Sequence, residues 1–394
     1  MNEATMNYVR QHADDDVRQL ALRGCKDDEV DLTLALQQIQ GRQTAKHMVP
    51  SWAAADGVLY PPHLNMEQCS SEATARYKGE LCRQLLDDDG KSLLVDLTGG
   101  WGVDFAFMSS AFTKAIYVER DAGLCSIVRH NFEVLLLDCS CVNTDGVDYL
   151  DSMDHATVIY MDPARRDAQG GRTYAIDQCT PNVLLLKEKL LQKADYVLLK
   201  LSPMVDWRQA VVELGTRLVR QVHIVAVGGE CKELLVLLSR SGSGLSLVCS
   251  NDGDYFRAEE DELQDQPVVA YGDVAAGHYL YEPHAALMKA GCFHLLASRF
   301  GVKPLAPNSH LFVSTSPVTG FPGRCFRVSA VSSLNKRELR RSLGGLTHAN
   351  ISVRNFPVSV AGLRQRLKLQ DGGQTYIFAT TLANGTHVLL VCER

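Results

Sequence analysis

The pattern of hydrophobic positions changes once along the first two thirds of this 394-residue chain. Residues 1–65 carry apolar side chains at gaps of two to four, a spacing compatible with the apolar sides of successive helices. From residue 91 onward, short apolar runs alternate with helix-compatible segments. Such runs are typical of strands buried on both faces of a parallel sheet, with helices on either side. The runs are 93–97, 115–118, 139–143, 157–161, 196–201 and 222–227.

Local signals predict several further elements. The pair Ser70-Ser71 offers a cap for a helix that runs to about Leu86. The run 234–238 fits either an antiparallel strand or a short helix, and the pattern does not decide between them. A helix is predicted over 285–300. Asn384-Gly385 between two apolar runs predicts a hairpin with a type I′ turn.

These patterns predict three domains. Residues 1–65 form a helical domain, residues 66–265 an α/β domain, and residues 266–394 an α+β module. A cluster of acids at 259–262, followed by Gln266-Pro267, marks the start of the last module.

The formal net charge of −6 conceals an uneven distribution. Residues 301–394 hold twelve Lys/Arg and three Asp/Glu, a net of +9, so the first 300 residues carry −15. A basic module joined to an acidic body favours a polyanionic partner, most simply nucleic acid. A solvated surface explains the same charges without a partner.

Four of these cations lie at i, i+4 spacing on a predicted helix, where phosphate contact and a solvated helix face are the two alternatives. We expect them to contact RNA; they are Lys336, Arg337, Arg340 and Arg341.

Several classes of protein are disfavoured. No apolar run approaches the roughly 18 residues that a membrane-spanning helix needs, and residues 1–10 lack the features of a signal peptide, so we expect a cytoplasmic protein. Twelve cysteines occur without a C-x-x-C pair. The close pairs Cys139-Ser-Cys141 and Cys292-Phe-His294 lack zinc spacing, so we expect reduced, mostly buried thiols and no metal.

A glycine-rich segment, Asp96-Leu-Thr98-Gly99-Gly100-Trp-Gly102-Val-Asp104, follows the first predicted strand. Its glycines let the backbone approach a ligand, and the next helix offers its N-terminal amides. A dinucleotide fingerprint is disfavoured because Phe105 stands where a third small residue belongs. Asp96 and Asp104 suit the cationic end of S-adenosylmethionine and would repel a pyrophosphate.

Two more acids end neighbouring predicted strands. Glu119 follows the second strand, where a carboxylate can accept both ribose hydroxyls, and Asp145 follows the third, placed to accept from an adenine amino group. Each acid alone is more often a loop or cap residue. Their occurrence at successive strand ends, together with Asp96 and Asp104, favours a cofactor site.

The chain resembles class I S-adenosylmethionine-dependent methyltransferases, and within them a bacterial group with a C-terminal THUMP-like domain. The class motifs are D-L-T-G-G-W-G-V-D, V-E-R-D and M-D-P-A-R. The group motifs, in order over nearly the whole chain, are G-R-Q-T-A-K, E-Q-C-S-S-E-A-T-A-R-Y-K, D-P-A-R-R, G-G-E-C-K-E-L-L and Y-E-P-H-A-A-L-M-K-A-G.

This resemblance implies a Rossmann-like, seven-stranded methyltransferase sheet, S-adenosylmethionine as cofactor, and an RNA-directed role for the THUMP-like part, with tRNA or rRNA as substrate. It also implies that the helix starting at Ser71 covers the cofactor, with Lys78 or Arg76 pairing with the methionine carboxylate. The expected cofactor-binding residues are therefore Asp96, Thr98, Gly99, Gly100, Gly102, Asp104, Glu119, Arg120, Asp145 and Lys78.

The fourth-strand motif bears on the methylated atom. In related amino-methyltransferases it is Asp/Asn-Pro-Pro-aromatic and holds an exocyclic amine; Asp162 and Pro163 match it, whereas Ala164 and Arg165 do not. We expect Asp162 to accept from the amine and Arg165 to orient the substrate by stacking, or to hold phosphate together with Arg166.

Other reactions and functions stay open at this point. The motif also resembles the D-P-P-R of RNA uracil C5-methyltransferases, but Ser202-Pro203 stands where their cysteine nucleophile is required, and Cys231 belongs to the next loop. The alternatives to RNA methylation at a base nitrogen are methylation of a protein or small molecule, and RNA binding without catalysis. The oligomeric state is not indicated.

Overall fold

The computed structural model describes residues 1–86, 90–164, 176–265 and 268–394. Contacts divide the chain into two compact units: residues 1–222 with 232–243, and residues 223–231 with 244–394. The helical segment 1–65 lies within the first unit. The division into three domains stays a prediction.

Five helices lie within residues 1–67, as the spacing of apolar residues predicts. Helices α2 and α3 begin where acidic side chains accept backbone N–H groups: Asp16 from Arg18 and Gln19, and Asp31 from Leu34. An acid at this position satisfies free donors and suits the positive end of the helix dipole. The helices are α1 Glu3–Gln11, α2 Val17–Arg23, α3 Leu32–Met48, α4 Pro50–Ala54 and α5 His63–Glu67.

The next elements alternate between helix and strand. The helix predicted after Ser70-Ser71 is present, with Ser71 as its cap. The elements are α6 Glu72–Arg83, β1 Leu93–Asp96, α7 Val103–Ser109, β2 Lys114–Glu119, α8 Ala122–Val134, β3 Ser140–Asn143, α9 Gly146–Ser152, β4 Ala156–Met161, a 3-10 turn at Ile176–Gln178, α10 Val183–Lys193, β5 Ala194–Leu201, α11 Trp207–Leu214, β6 Val219–Val227 and β7 Glu230–Leu238.

The strand order β3-β2-β1-β4-β5-β7-β6 is that of a Rossmann-like methyltransferase sheet, so the predicted fold class is confirmed. Strands β1 to β5 are parallel to their neighbours, and β7 runs antiparallel to β5. The undecided run 234–238 is thus a strand. Because β1 to β5 are parallel, their carboxyl ends meet at one edge, where open α/β sheets bind ligands.

Strand β6 belongs to both units, since residues 219–222 fall in the first and 223–227 in the second. In the second unit the order continues from β6 to β8 and β9, and a separate seven-stranded sheet follows in the order β11-β12-β10-β13-β16-β15-β14. The elements of the second unit are β8 Ser246–Asn251, β9 Asp254–Glu259, α12 Glu260–Gln264, β10 Tyr279–Pro283, α13 Ala285–Ala290, α14 Phe293–Phe300, β11 Lys303–Pro304, β12 Phe312–Ser314, β13 Gly323–Ser332, α15 Lys336–Leu343, β14 Asn350–Arg354, α16 Val360–Leu367, β15 Thr375–Thr381 and β16 His387–Glu393.

Two local predictions for this unit are wrong in detail. The helix predicted over 285–300 is two helices, because Gly291 adopts the left-handed conformation (φ +69°) and ends α13. The final hairpin is present, but of its turn pair only Gly385 has positive φ (+83°), so the turn is not type I′. The Gly385 N–H donates to Leu382 O and the Leu382 N–H to Thr386 O, which is a three-residue loop with glycine at the left-handed position.

All twelve cysteines are free thiols, six of them buried. Within the described ranges, no helix is long and apolar enough to cross a membrane. The same residues contain no cluster of three or more side chains able to hold a metal ion.

Candidate active site

The glycine segment after β1 packs tightly against β2 and α8. A Cβ at Gly99 would lie 2.2 Å from the Tyr117 ring, and a Cβ at Gly102 would lie 2.7 Å from the Phe132 ring. Gly102 also has φ +76°, which favours glycine, and it caps the N-terminus of α7. The segment therefore needs glycine at both positions, for packing and for backbone conformation.

Gly100 differs from its neighbours because it borders open space. It has φ +56°, and an added Cβ would meet only the Thr98 carbonyl oxygen, at 3.8 Å. Its N–H donates to Glu119 Oε2 at 2.9 Å, while the Asp121 N–H donates to Oε1 at 2.8 Å. Glu119 is thus held beside the loop by both carboxylate oxygens, and the next residue, Arg120, is exposed.

The ends of β1 and β3 meet at the same place. Asp145 caps α9 by accepting the Val147 N–H at 2.8 Å, and a Cβ at Gly146 would lie 2.1 Å from the Leu97 carbonyl oxygen. This contact sets the start of α9 directly against the glycine segment.

Asp96, the last residue of β1, is only 1% exposed. Its Oδ1 accepts the Thr98 N–H at 2.9 Å and the Thr98 hydroxyl at 3.3 Å. Burial raises the pKa of Asp96 to about 8, although the Thr98 N–H opposes this.

Asp104, in the first turn of α7, contacts two buried lysines. Lys78 Nζ lies 3.1 Å from Asp104 Oδ1, and Lys200 Nζ lies 3.6 Å from Oδ2. Oδ2 also accepts the hydroxyls of Ser70 (2.8 Å) and Tyr160 (2.7 Å). Burial alone raises the pKa of Asp104, but the two ammonium groups outweigh it and lower the pKa to about 2.

Lys78 lies on the buried side of α6 and is 0% exposed. Its ammonium group donates to Glu233 Oε1 on β7 at 2.5 Å and to Ser70 Oγ at 3.3 Å, in addition to its contact with Asp104. Arg76, the other cation proposed for this helix, is exposed and pairs with Glu72.

Asp162 directly follows β4. Its N–H donates to Thr98 Oγ1 at 2.7 Å, which fixes the start of the Asp162-Pro163 segment against the glycine loop. Its Oδ2 accepts from Lys200 Nζ at 2.6 Å. Burial lowers the pKa of Lys200, but the carboxylates of Asp162 and Asp104 have the larger, opposite effect, so the net shift of this pKa is upward. Arg165 and Arg166 lie outside the described residues.

Comparison with known structures connects this edge to a family. A candidate methyltransferase from Porphyromonas gingivalis W83 is 32% identical, the match covers 99% of this chain and 97% of that one, and the TM-score is 0.86. This chain belongs to the same family. It is a family of methyltransferases with the class I fold, and this chain carries a THUMP-like domain in its C-terminal part.

Two family profiles match the second unit of this methyltransferase family member: a ferredoxin-like domain over residues 279–322 and a THUMP domain-like region over residues 323–394. A candidate RNA methyltransferase from Pyrococcus horikoshii is 17% identical over 49% of this chain and 96% of that one (TM-score 0.36). A candidate class I methyltransferase from Listeria monocytogenes is 10% identical over 64% and 93% (TM-score 0.41). Both TM-scores are too low to support an inference. A search of curated proteins gave no match.

The edge of the methyltransferase sheet brings together the acids and glycines singled out in the sequence, Lys78, and Asp162 with Pro163. The four cations of α15 lie in the second unit, on a helix with no buried residue. None of them forms an ion pair with another described residue.

The sequence pattern assigned no role to Tyr160 and Glu233, which contact Asp104 and Lys78 respectively. Tyr160 lies within an apolar strand, where its hydroxyl gave no signal. Glu233 belongs to the motif G-G-E-C-K-E-L-L, and one acid within an apolar strand was a signal that could have been noticed.

Proposed function

We propose that this protein transfers a methyl group from S-adenosylmethionine to a base nitrogen of RNA, either tRNA or rRNA. The position of Asp162 carries the proposal. Its carboxylate accepts a hydrogen bond from Lys200, and its backbone N–H donates to the Thr98 hydroxyl of the glycine segment. A hydrogen-bond acceptor is thereby held next to the predicted cofactor site, as methylation of an exocyclic amine requires.

The residues at this edge fit the cofactor. Gly100 leaves open space in front of the loop, and Glu119 stands beside it with both oxygens oriented by backbone N–H groups. In this proposal Glu119 and Arg120 lie at the ribose, Asp145 at the adenine, and Asp96 at the methionine ammonium. The loop residues Thr98, Gly99, Gly100 and Gly102 form the floor.

Two proposed cofactor contacts compete with contacts inside the protein. Asp104 already pairs with Lys78 and Lys200, so the methionine ammonium would be a third cation beside the same carboxylate. Lys78 already faces Glu233 and Asp104, so its pairing with the methionine carboxylate stays a prediction.

The cofactor supplies an electrophilic methyl group on a positive sulfur, and the protein's contribution is to position the acceptor and exclude water. Asp162 accepts a hydrogen bond from the substrate amine, Pro163 forms the next part of the same segment beside the amine, and Arg165 orients the base. A C5 mechanism has less support, because Ser202 follows β5 and the Cys231 thiol donates to the Ala285 carbonyl.

RNA as substrate is supported by the charge of residues 301–394, which carry twelve Lys/Arg and three Asp/Glu. The cations Lys336, Arg337, Arg340 and Arg341 are exposed on α15 and are available to phosphate. Contacts of this kind provide affinity and salt dependence, whereas the site around Asp162 selects the base.

Isothermal titration with S-adenosylmethionine tests the cofactor half. We expect Glu119→Gln to weaken binding by about tenfold or more, because it removes the charge from hydrogen bonds to the ribose. Glu133→Gln, an exposed acid on α8, is the matched control and should bind like the wild type. Equal affinity of all three proteins would refute the proposed site.

Mass spectrometry of RNA nucleosides tests the substrate half. A deletion strain should lack one methylated nucleoside, which the wild-type gene restores and Asp162→Ala does not. Asp154→Ala, exposed just before β4, is the control and should restore it fully. Unchanged nucleosides in the deletion strain would argue against RNA as the substrate.

A further inference from the structure

The group motifs of this chain converge on one buried set of charges in the first unit. Helix α6, from the motif that ends in R-Y-K, contributes one lysine; β7, from G-G-E-C-K-E-L-L, contributes a glutamate; and the glycine and D-P-A-R motifs contribute aspartates. Strand β5 adds a second lysine. The members are Lys78, Glu233, Asp104, Asp162 and Lys200.

We propose that Lys200 is a positioning residue for methyl transfer: it holds Asp162 Oδ2 and leaves Oδ1 as the acceptor for the substrate amine. This inference rests on the proposed function and adds a residue to it. Lys200 itself does not touch the substrate.

The geometry supports a fixed role for Lys200. Its side chain is 7% exposed, and its ammonium group is placed between Asp162 Oδ2 at 2.6 Å and Asp104 Oδ2 at 3.6 Å. Asp104 is immobilised in turn by Tyr160, Ser70 and Lys78. Because the buried ammonium group of Lys200 lies between this immobilised Asp104 and Asp162, it is itself held in place and fixes the orientation of the Asp162 carboxylate.

Asp162 is more accessible than its partners, with a side chain 29% exposed. Among the described residues, Lys200 is the only recorded donor to its carboxylate, and Oδ1 has none. An oxygen left free on an otherwise fixed carboxylate is suited to accept one N–H of a substrate.

The charges around Asp162 explain why a cation is needed there. Asp104 from α7, Glu233 from β7 and Asp96 from β1 are acids in the same region, Tyr160 from β4 adds a phenol, and Lys78 from α6 is the other cation. The five-residue cluster has two lysines and three acids, so without Lys200 one lysine would remain against three acids. Among the described residues no other side chain donates to Asp162 Oδ2, so the carboxylate would lose the contact that holds it in place.

The fate of the substrate proton follows from the same arrangement. When the N–CH3 bond forms and the S–CH3 bond breaks, the bonding electron pair stays on sulfur and the nitrogen carries one surplus proton. Lys200 cannot take it, because its acidic neighbours raise its pKa and keep it protonated. Asp162 Oδ1 is the acceptor that remains, and it passes the proton to solvent.

The test uses full-length protein, S-adenosylmethionine with a labelled methyl group, and total RNA from the deletion strain, with kcat and the KM for S-adenosylmethionine measured near pH 7. We expect Lys200→Met to lower kcat about tenfold or more and to leave this KM unchanged, because Lys200 orients the acceptor and does not hold the cofactor. Lys189→Met removes a lysine from a more exposed pair with Asp151 and should leave both constants unchanged.

Two further variants separate positioning from loss of fold. Lys200→Arg keeps the charge with a different shape, so kcat should fall while the KM for S-adenosylmethionine stays unchanged. In an Asp162→Ala background, Lys200→Met should change the rate by less than about twofold, because the carboxylate that it positions is already absent.

An unchanged kcat for Lys200→Met, or its full additive effect in the Asp162→Ala background, would overturn the inference while leaving the proposed function intact. If Lys200→Met does not fold, wild-type kcat in Lys200→Arg would overturn it. No methyl transfer by the wild type to any RNA would overturn the proposed function, and the inference with it.

Discussion

Lys78→Met is the most direct test of the buried cluster. Lys78 is fully buried, and its partners Glu233 and Asp104 have side chains only 3% and 11% exposed. Water cannot replace the lost ammonium, so two acids keep their desolvation cost and lose a cation. Removing one partner of a buried ion pair costs about 3–5 kcal/mol, and we expect that decrease in the free energy of unfolding.

Urea unfolding of the cofactor-free protein at pH 7, followed by circular dichroism, measures this decrease. The control is Lys46→Met, which removes a lysine from an exposed pair with Asp14 and should cost less than about 1 kcal/mol. The double variant Lys78→Met/Glu233→Met should be more stable than Lys78→Met alone, because two apolar side chains of similar volume can be buried without a desolvation cost. A decrease of less than about 1 kcal/mol in the free energy of unfolding of Lys78→Met would refute the reasoning. If this variant keeps its stability but loses affinity for the cofactor, the predicted contact of Lys78 with the methionine carboxylate is favoured instead.

Three further outcomes are expected. Gly99→Ala places a Cβ 2.2 Å from the Tyr117 ring and should destabilise the fold by about 1–3 kcal/mol, measured as a lower Tm, whereas Gly385→Ala meets no atom within 4 Å and should cost only about 1 kcal/mol of backbone strain. Asp96 has its folded pKa raised from 3.8 to about 8, so its stabilising effect is complete below pH 4 and is lost as the pH rises through 8; Asp96→Asn should flatten the decline of Tm over that range. Replacing the four α15 cations together by Gln should reduce the slope of log affinity for RNA against log salt by up to about 3, measured by filter binding, while the same change at four N-terminal cations should not. The substituted sets are Lys336, Arg337, Arg340 and Arg341, and for the control Arg10, Arg18, Arg23 and Lys26.

The sequence alone determined the features that depend on neighbouring residues. Alternating apolar runs predicted the parallel sheet, because a strand buried on both faces needs uninterrupted apolar residues. Ser71 predicted the start of α6, because a cap acts within one turn. The glycine segment and the acids at strand ends predicted the cofactor edge, since parallel strands bring their carboxyl ends together.

Only the tertiary structure decided which charged groups meet. Lys78 and Glu233 are 155 positions apart, and neither segment shows which partner the other will have. A buried ammonium must be near carboxylates, and packing selects these from any part of the chain. The run 234–238 became a strand for a related reason: β5 offered it an open edge for pairing. Local pattern predicted most of the elements, whereas the arrangement of charges at Asp162 depends on contacts among five elements distant in sequence.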